Sequence, residues 1–218
     1  MQPISIEAFG VGADPQAVCQ AQTIPNDETL AIDGNAATGG VVNFPNPRRV
    51  VVRGLDAVSE GIIITVTGTD AADGPQVESF RIITQGTDYT GKLEFQTITE
   101  VRANIGGIGQ VQVGTSGIVG SQWARLDTWA IGPTIIHINA LGNANYTLQT
   151  TLDDPNSIVD PIDPDNVRWF PSTDTNVVNT TGSKQTQFDA NPVFCRILIN
   201  SGVGTVQAVI QQNGSPTF

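Results

Sequence analysis

Apolar and polar positions alternate along this chain in short runs, broken at regular intervals by glycine and aspartate. The clearest block covers residues 48–115, where RRVVVRGL, GIIITVTGTD, PQVESFRIITQG, GKLEFQTITEVRA and GQVQVGTSG follow one another. Val, Ile, Thr and Phe fill these runs, and such side chains fit a pleated, half-buried surface. Gly54, Gly61, Gly68, Gly74, Gly86, Gly91, Gly106, Gly107, Gly109 and Gly114 punctuate them. Strand-length runs at roughly 8–12-residue spacing with turn signals between them predict a sandwich or barrel. No window in this block carries apolar residues at helical spacing. The strongest hairpin signal is Asp73-Gly74, between runs 62–67 and 77–83, with a projecting loop of about nine residues.

The pattern continues beyond residue 115. Strands are expected at 123–126, 134–139 and 146–152, with Asn143-Ala144-Asn145 turning the chain between the last two. In the 146–152 run, Tyr146, Leu148, Thr150 and Leu152 fall on one face and Thr147, Gln149 and Thr151 on the other, as in a strand with one face on a core and one toward water. Residues 153–166, DDPNSIVDPIDPDN, break the pattern with five aspartates and three prolines in fourteen positions. Trp169 and Phe170 then anchor the chain again. A polar stretch follows, with room for one or two helical turns near 174–190. The end recovers strand pattern at 193–200, turns through Ser201-Gly202-Val203-Gly204 and returns at 205–211, which predicts a terminal hairpin.

Residues 1–47 are the least regular. Asp14-Pro15 and Ile24-Pro25-Asn26-Asp27 are turn chemistry. Leu30 and Ile32 before Asp33-Gly34-Asn35, and Gly39 through Phe44, each suggest one short strand, the second ended by Pro45 and Pro47 because prolines withhold ladder donors. The region reads as an arm lying on the main domain or on a neighbouring subunit, or as an ordinary pair of edge strands. The expected fold is therefore an all-β antiparallel sandwich, Ig-like or jelly-roll-like, of eleven or twelve strands. Its expected parts are an extended N-terminal arm (1–47), a central sandwich (48–155), and an acidic connector with a C-terminal β-hairpin packing on the sandwich (156–218).

Charge narrows the function classes. The net charge is -11 and only two of the ten basic residues are lysines, Lys92 and Lys184. Binding nucleic acid takes a positive patch, and apart from the adjacent Arg48 and Arg49 the arginines are scattered, so no nucleic-acid role is expected. No apolar run approaches the roughly 20 residues of a spanning helix, so no membrane role is expected. The start MQPISIEAFG lacks a basic segment and a long apolar core, so synthesis and folding in a cytoplasm are expected. Cys19 and Cys195 stand 176 positions apart and read as two small buried hydrophobes, with a late disulfide joining the chain ends as the alternative.

Catalytic chemistry is sparse. His137 is the sole histidine and lies within TIIHINA, where a structural role is expected. No nucleophile elbow or cysteine–histidine pattern is present. Gly106-Gly107-Ile108-Gly109 lacks the Lys-Ser/Thr ending and following helix of a phosphate loop. Carboxylate pairs of a glycosidase converge only in a fold, but the 6% aromatic content argues against sugar platforms. Asp153, Asp154, Asp160, Asp163 and Asp165 invite a calcium reading, yet prolines interrupt them, no glycine supplies a sharp turn and no downstream Glu has loop spacing. A solvated connector is expected, with no metal or organic cofactor, no catalytic residue and no enzymatic activity.

The ordered series GIIITVTGTDAADGPQVESFRIITQG, LEFQTITEVRA, GQVQVGTSGIVGSQW and NYTLQTTLDDP resembles a family of virion structural proteins of tailed bacteriophages. In that family a GTD…G…E hairpin precedes an F-x-T-(V/I)-T strand, a V-x-V-G-T-S-G strand with a following Ser-x-Trp, and a Y-T-(V/L)-Q-x-T-x-D-D-P strand. The closing RILINSGVGTVQAVIQQNG is similar to the family's terminal hairpin, and the resemblance spans roughly residues 48–215. It implies a non-enzymatic particle protein, foremost a head decoration (cement) protein, with a head–tail or tail component as the alternative. The implied partners are the major capsid protein and further copies of the chain itself, a trimer being one form, and the implied location is the virion surface. A surface β-sandwich binding module, an adhesin or carbohydrate binder, is the competing class.

Overall fold

The computed structural model describes residues 2–130, 132–159, 161–162 and 166–212. Fifteen strands occur among them, and the only helical elements are single 3-10 turns. In chain order they are β1 (Ile4–Gly10), β2 (Asp14–Thr23), β3 (Ala37–Thr38), β4 (Val41–Gly54), β5 (Ile63–Thr69), β6 (Pro75–Arg81), β7 (Asp88–Ala103) and β8 (Gln110–Gly120). They continue with β9 (Ala124–Arg125), β10 (Thr134–Gly142), β11 (Asn145–Thr151), β12 (Phe170–Pro171), β13 (Lys184–Phe188), β14 (Phe194–Ser201) and β15 (Gly204–Gln211). The protein is all-β, and the pairs β1–β15, β10–β15, β11–β14, β4–β7 and β5–β6 are antiparallel, as the alternating pattern predicts.

The chain divides differently from the expected arm, sandwich and connector. One compact unit is Gly12–Ile118; the other joins Met1–Val11 to Val119–Phe218. Each has its own apolar core, so neither 47/48 nor 155/156 is a boundary.

In the 12–118 unit the strand order is β2-β8-β4-β7-β5-β6. Val42, Val50 and Val52 of β4, Ile64 and Val66 of β5, Phe95, Ile98 and Val101 of β7, and Val111 and Val113 of β8 meet in one cluster with Ala17, Val18 and Cys19 of β2. The long β7 serves two neighbours: it pairs with β4 from Asp88 to Ile98 and with β5 from Thr97 to Ala103. Pro45 and Pro47 do not end β4. They sit where its register against β7 slips, between Asn43↔Thr97 and Arg48↔Phe95. A bulge needs no ladder donor there, so proline is tolerated. The Gln96 side-chain amide donates to the Phe44 carbonyl in the gap, and the Arg48 guanidinium lies 4.8 Å from the Phe44 ring centre. The Asp73-Gly74 hairpin forms as expected, but its strands run on to Thr69 and from Pro75, leaving a tight turn rather than a projecting loop. Asp70 closes it, accepting from the Ala72 and Gly74 amides at 2.7 and 2.8 Å. Residues 12–47 are thus part of this unit's framework, with Cys19 opposite Val113 and the Leu30 amide bonded to the Val101 carbonyl at 2.9 Å.

The second unit is a two-sheet sandwich. One sheet has the order β1-β15-β10-β13; the other contains β12-β11-β14, with β9 and the last two residues of β8 also on β14. Ile6, Ala8, Ile136, Ile138, Val206, Ala208 and Ile210 from the first sheet pack with Tyr146, Leu148, Cys195, Ile197 and Ile199 from the second. The expected C-terminal hairpin is corrected here: β14 and β15 lie in different sheets. Gly202, at φ 87°, turns the chain across the core, where a Cβ would stand 2.3 Å from the Asn143 carbonyl oxygen. The apolar faces of both strands are then satisfied across the core instead of edge to edge. The partners of β15 are β10 and β1, the latter with seven register pairs from Ile4↔Ile210 to Gly10↔Gly204.

Candidate functional site

The second unit carries a groove of about 450 Å³. The end of β11 supplies Thr150 and Thr151, Leu152 and Asp153 continue from it, β12 supplies Phe170, and the β13–β14 connection supplies Phe188, Ala190, Asn191 and Pro192. Its walls are mainly apolar because the alternation expected for β11 fails at its end. Thr151 and Thr147 turn inward and are buried, while Leu152 is exposed. Thr147 is buried because its hydroxyl accepts from the Asn179 amide at 3.1 Å and from the Asn200 side-chain amide at 2.9 Å.

Ion pairs root the acidic segment beside this groove. Arg168 donates to Asp153 through Nε at 3.2 Å, NH2 at 3.0 Å and its backbone amide at 2.7 Å. These bonds hold the Asp153 carboxyl below the usual carboxylate range, and the same partner raises the Arg168 guanidinium. Arg125 holds Asp154 at 2.8 and 3.3 Å. Trp169, one position on, is clamped between two layers: the Arg196 guanidinium lies 4.3 Å from its ring centre, and Trp123 meets it edge-on at 5.2 Å. Trp123 in turn meets Phe194, over which Arg125 lies. Arg196 is itself buried and donates to Gln149 at 2.9 Å. The anchoring expected of Trp169 is present; Phe170 instead faces the groove, exposed.

The four most exposed large apolar side chains of the described residues all belong to this region's elements: Ile158 (100%), Val159 (94%), Trp129 (86%) and Leu152 (77%). Trp129 sits on a loop tied to the groove's far wall, since Asn191 donates its side-chain amide to the Asp127 carbonyl at 3.0 Å and its carbonyl oxygen receives the Thr134 hydroxyl. Sequence reading placed Leu152 on the core face and took 153–166 as a solvated connector, so it missed this concentration. The signal was the Ile158-Val159 pair within the aspartates.

The other residues singled out in the sequence lie elsewhere. His137 is exposed on β10, opposite Gln185 and Val209. Cys19 and Cys195 are free and buried, and burial pushes each thiol up to about 12. Arg49 pairs within its own chain with Glu94 at 2.8 Å, so the Arg48–Arg49 pair is not a solvated one. The 106–109 glycines cap the 24–26 turn: the Gly107 amide bonds the Ile24 and Pro25 carbonyls at 3.1 and 3.2 Å. Of the calcium candidates, Asp153 and Asp154 are taken by arginines; Asp160, Asp163 and Asp165 lie outside the described residues. Among the described residues no group of three or more His, Cys, Asp or Glu side chains is placed to hold a metal ion, and no helix is long and apolar enough to cross a membrane.

No protein-family model matches this chain, and no curated protein sequence matches it.

Proposed function

We propose that this protein is a non-enzymatic structural component of a tailed-bacteriophage particle, acting as a capsid decoration (cement) protein that binds the outer head surface and strengthens joints between capsid subunits. The observation that carries the reading is the ordered series of strand motifs over roughly residues 48–215. The groove face with exposed Leu152 and Phe170 supports it, because solvent-exposed apolar side chains together, rimmed by polar groups, mark surfaces that dock on other proteins. The net charge of -11 suits attachment to a basic surface and gives the contact a salt-dependent rim.

Mass spectrometry and immunogold labelling of purified virions test it. Label over the head supports the decoration role; label confined to the tail moves the protein to a head–tail or tail component. Absence from virions removes both readings. The groove lined by Phe170 and Phe188 then favours a surface binding module, to be assayed against glycans and host-surface proteins.

A further inference from the structure

We propose that Asp73 is a latent modification site, an aspartate whose isomerisation to isoaspartate is held off by Asp70 acting on the Gly74 amide. The inference goes beyond the particle role and does not depend on it.

Asp73 is exposed in the turn between β5 and β6, with φ 62° in the left-handed region. The residue after it is a glycine, which has no side chain to shield its backbone nitrogen. That nitrogen can attack the Asp73 side-chain carboxyl carbon. A C–N bond forms, and the hydroxyl of the carboxylic acid leaves with the amide proton as water, closing a succinimide ring. Water then adds back. Opening the ring at the side-chain carbonyl restores Asp73; opening it at the main-chain carbonyl leaves the chain running through Cγ as isoaspartate. Water is the only co-reactant, lost in the first step and returned in the second. Asp70 opposes the first step in two ways. It tethers the peptide on both sides: the Gly74 amide donates to Asp70 Oδ1 at 2.8 Å, and the Gly74 carbonyl accepts from the Asp70 amide at 2.9 Å. The Asp73 amide donates to the Asp70 carbonyl at 3.3 Å, so the nitrogen is not free to swing toward Cγ. The Asp70 side chain is also buried, and its negative charge beside the Gly74 amide opposes loss of that proton. The Ala72 amide donates to the same Oδ1 at 2.7 Å and keeps the carboxylate in place. Isoaspartate would add a backbone carbon inside the turn that leads from Thr69 to its strand partner Pro75.

The test is the rate at which isoaspartate forms at residue 73 of the full chain on warm incubation, in buffer and in denaturant. Peptide mapping and isoaspartyl-methyltransferase labelling both read it. Because misplacing the reacting atoms is costly, formation should be roughly a hundredfold slower in the folded protein than in denaturant. Asp70→Asn keeps an oxygen acceptor for the Ala72 and Gly74 amides and removes the charge, so the folded variant should react roughly tenfold faster than the unaltered chain. Asp70→Ala removes the acceptor as well and should be faster still. Melting curves establish that each variant is folded. Asp73→Glu should abolish the signal, because its ring would need one more carbon. If Asp70→Ala does not fold, Asp70→Asn and the ratio of rates in buffer and denaturant still decide. Equal rates in buffer and denaturant overturn the inference. So does a folded Asp70→Asn chain that reacts no faster than the unaltered one, the outcome if Asp70 merely shapes the turn.

Discussion

At the scale of single residues, burial and close approach set most of what can be tested. The two thiols are held protonated by burial alone or nearly so, with Asp33 adding to the effect at Cys19. A group whose folded pKa lies above its unfolded value favours folding fully below the unfolded value, near 9, and loses that contribution as pH rises toward about 12. Both thiols should resist a thiol reagent in the native protein and react together on unfolding, and the melting temperature should fall as pH climbs above 9. Fast labelling of either thiol at neutral pH contradicts this. Asp153 has the opposite sign. Its lowered carboxyl favours folding above the usual carboxylate range and loses that support as pH falls through its folded value. Arg168 is exposed, so screening keeps the pair small. Asp153→Asn should cost about 1 kcal/mol at pH 7 and nothing measurable at acid pH, read from denaturant midpoints. Gly68 is less forgiving. It sits at the β5–β7 register slip, where a Cβ would fall 1.9 Å from the Thr97 carbonyl oxygen. Gly68→Ala should destabilise by several kcal/mol, since backbone on both sides must move.

At the scale of elements, the informative strands are those at the chain's start. β1 contributes buried Ile6 and Ala8 and the full edge of β15, while β2 pairs with β8. A chain begun near Asn46 should therefore fail to fold, where an arm lying on a finished sandwich would be dispensable. Removal of residues 2–11 alone should abolish the cooperative melt of the sandwich formed by 119–212, because β15 would lose one of its two neighbours and the core two of its apolar residues. Circular dichroism melts and amide dispersion in NMR spectra read both outcomes. A native-like spectrum from the shorter chain would contradict the pairing of Ile4 with Ile210. Sequence reading marked 205–211 as a strand but took residues 1–47 as an irregular arm, and it held no sign that residues 4–10 pair with β15, since local pattern specifies a strand's face and not its neighbour.

At the scale of the molecule, the proposed particle role rests on surface. Attachment of so acidic a chain to a basic particle surface, as proposed, should weaken as salt rises. Pelleting with expanded capsids across a salt series checks this. Insensitivity of capsid binding to salt would mean that apolar contacts carry the attachment. The candidate face was only partly legible beforehand. Trp169 and Phe170 stood out as anchors, but the same pattern that marked Tyr146 and Leu148 as core marked Leu152 as core too. A period of two does not reveal where a strand ends and its last apolar residue is left in solvent.

The sequence by itself determined most strands of residues 48–152 and 193–211, the Asp73-Gly74 turn, the all-β class and the buried state of the lone cysteines, because each follows from residues adjacent in the chain: alternation, β-branched content, Asp-Gly and glycine spacing. The resemblance to phage structural proteins likewise came from local motifs in order. Only the tertiary structure decided the division at 11/12 and 118/119, the crossing of β14 and β15 into separate sheets, the bulge that admits Pro45 and Pro47 into β4, and the meeting of Leu152 with Phe170 and Phe188. These depend on which strands neighbour which across 200 residues of separation, as in Ile4 beside Ile210. That choice is made by the burial of whole faces at once, and no local window contains it.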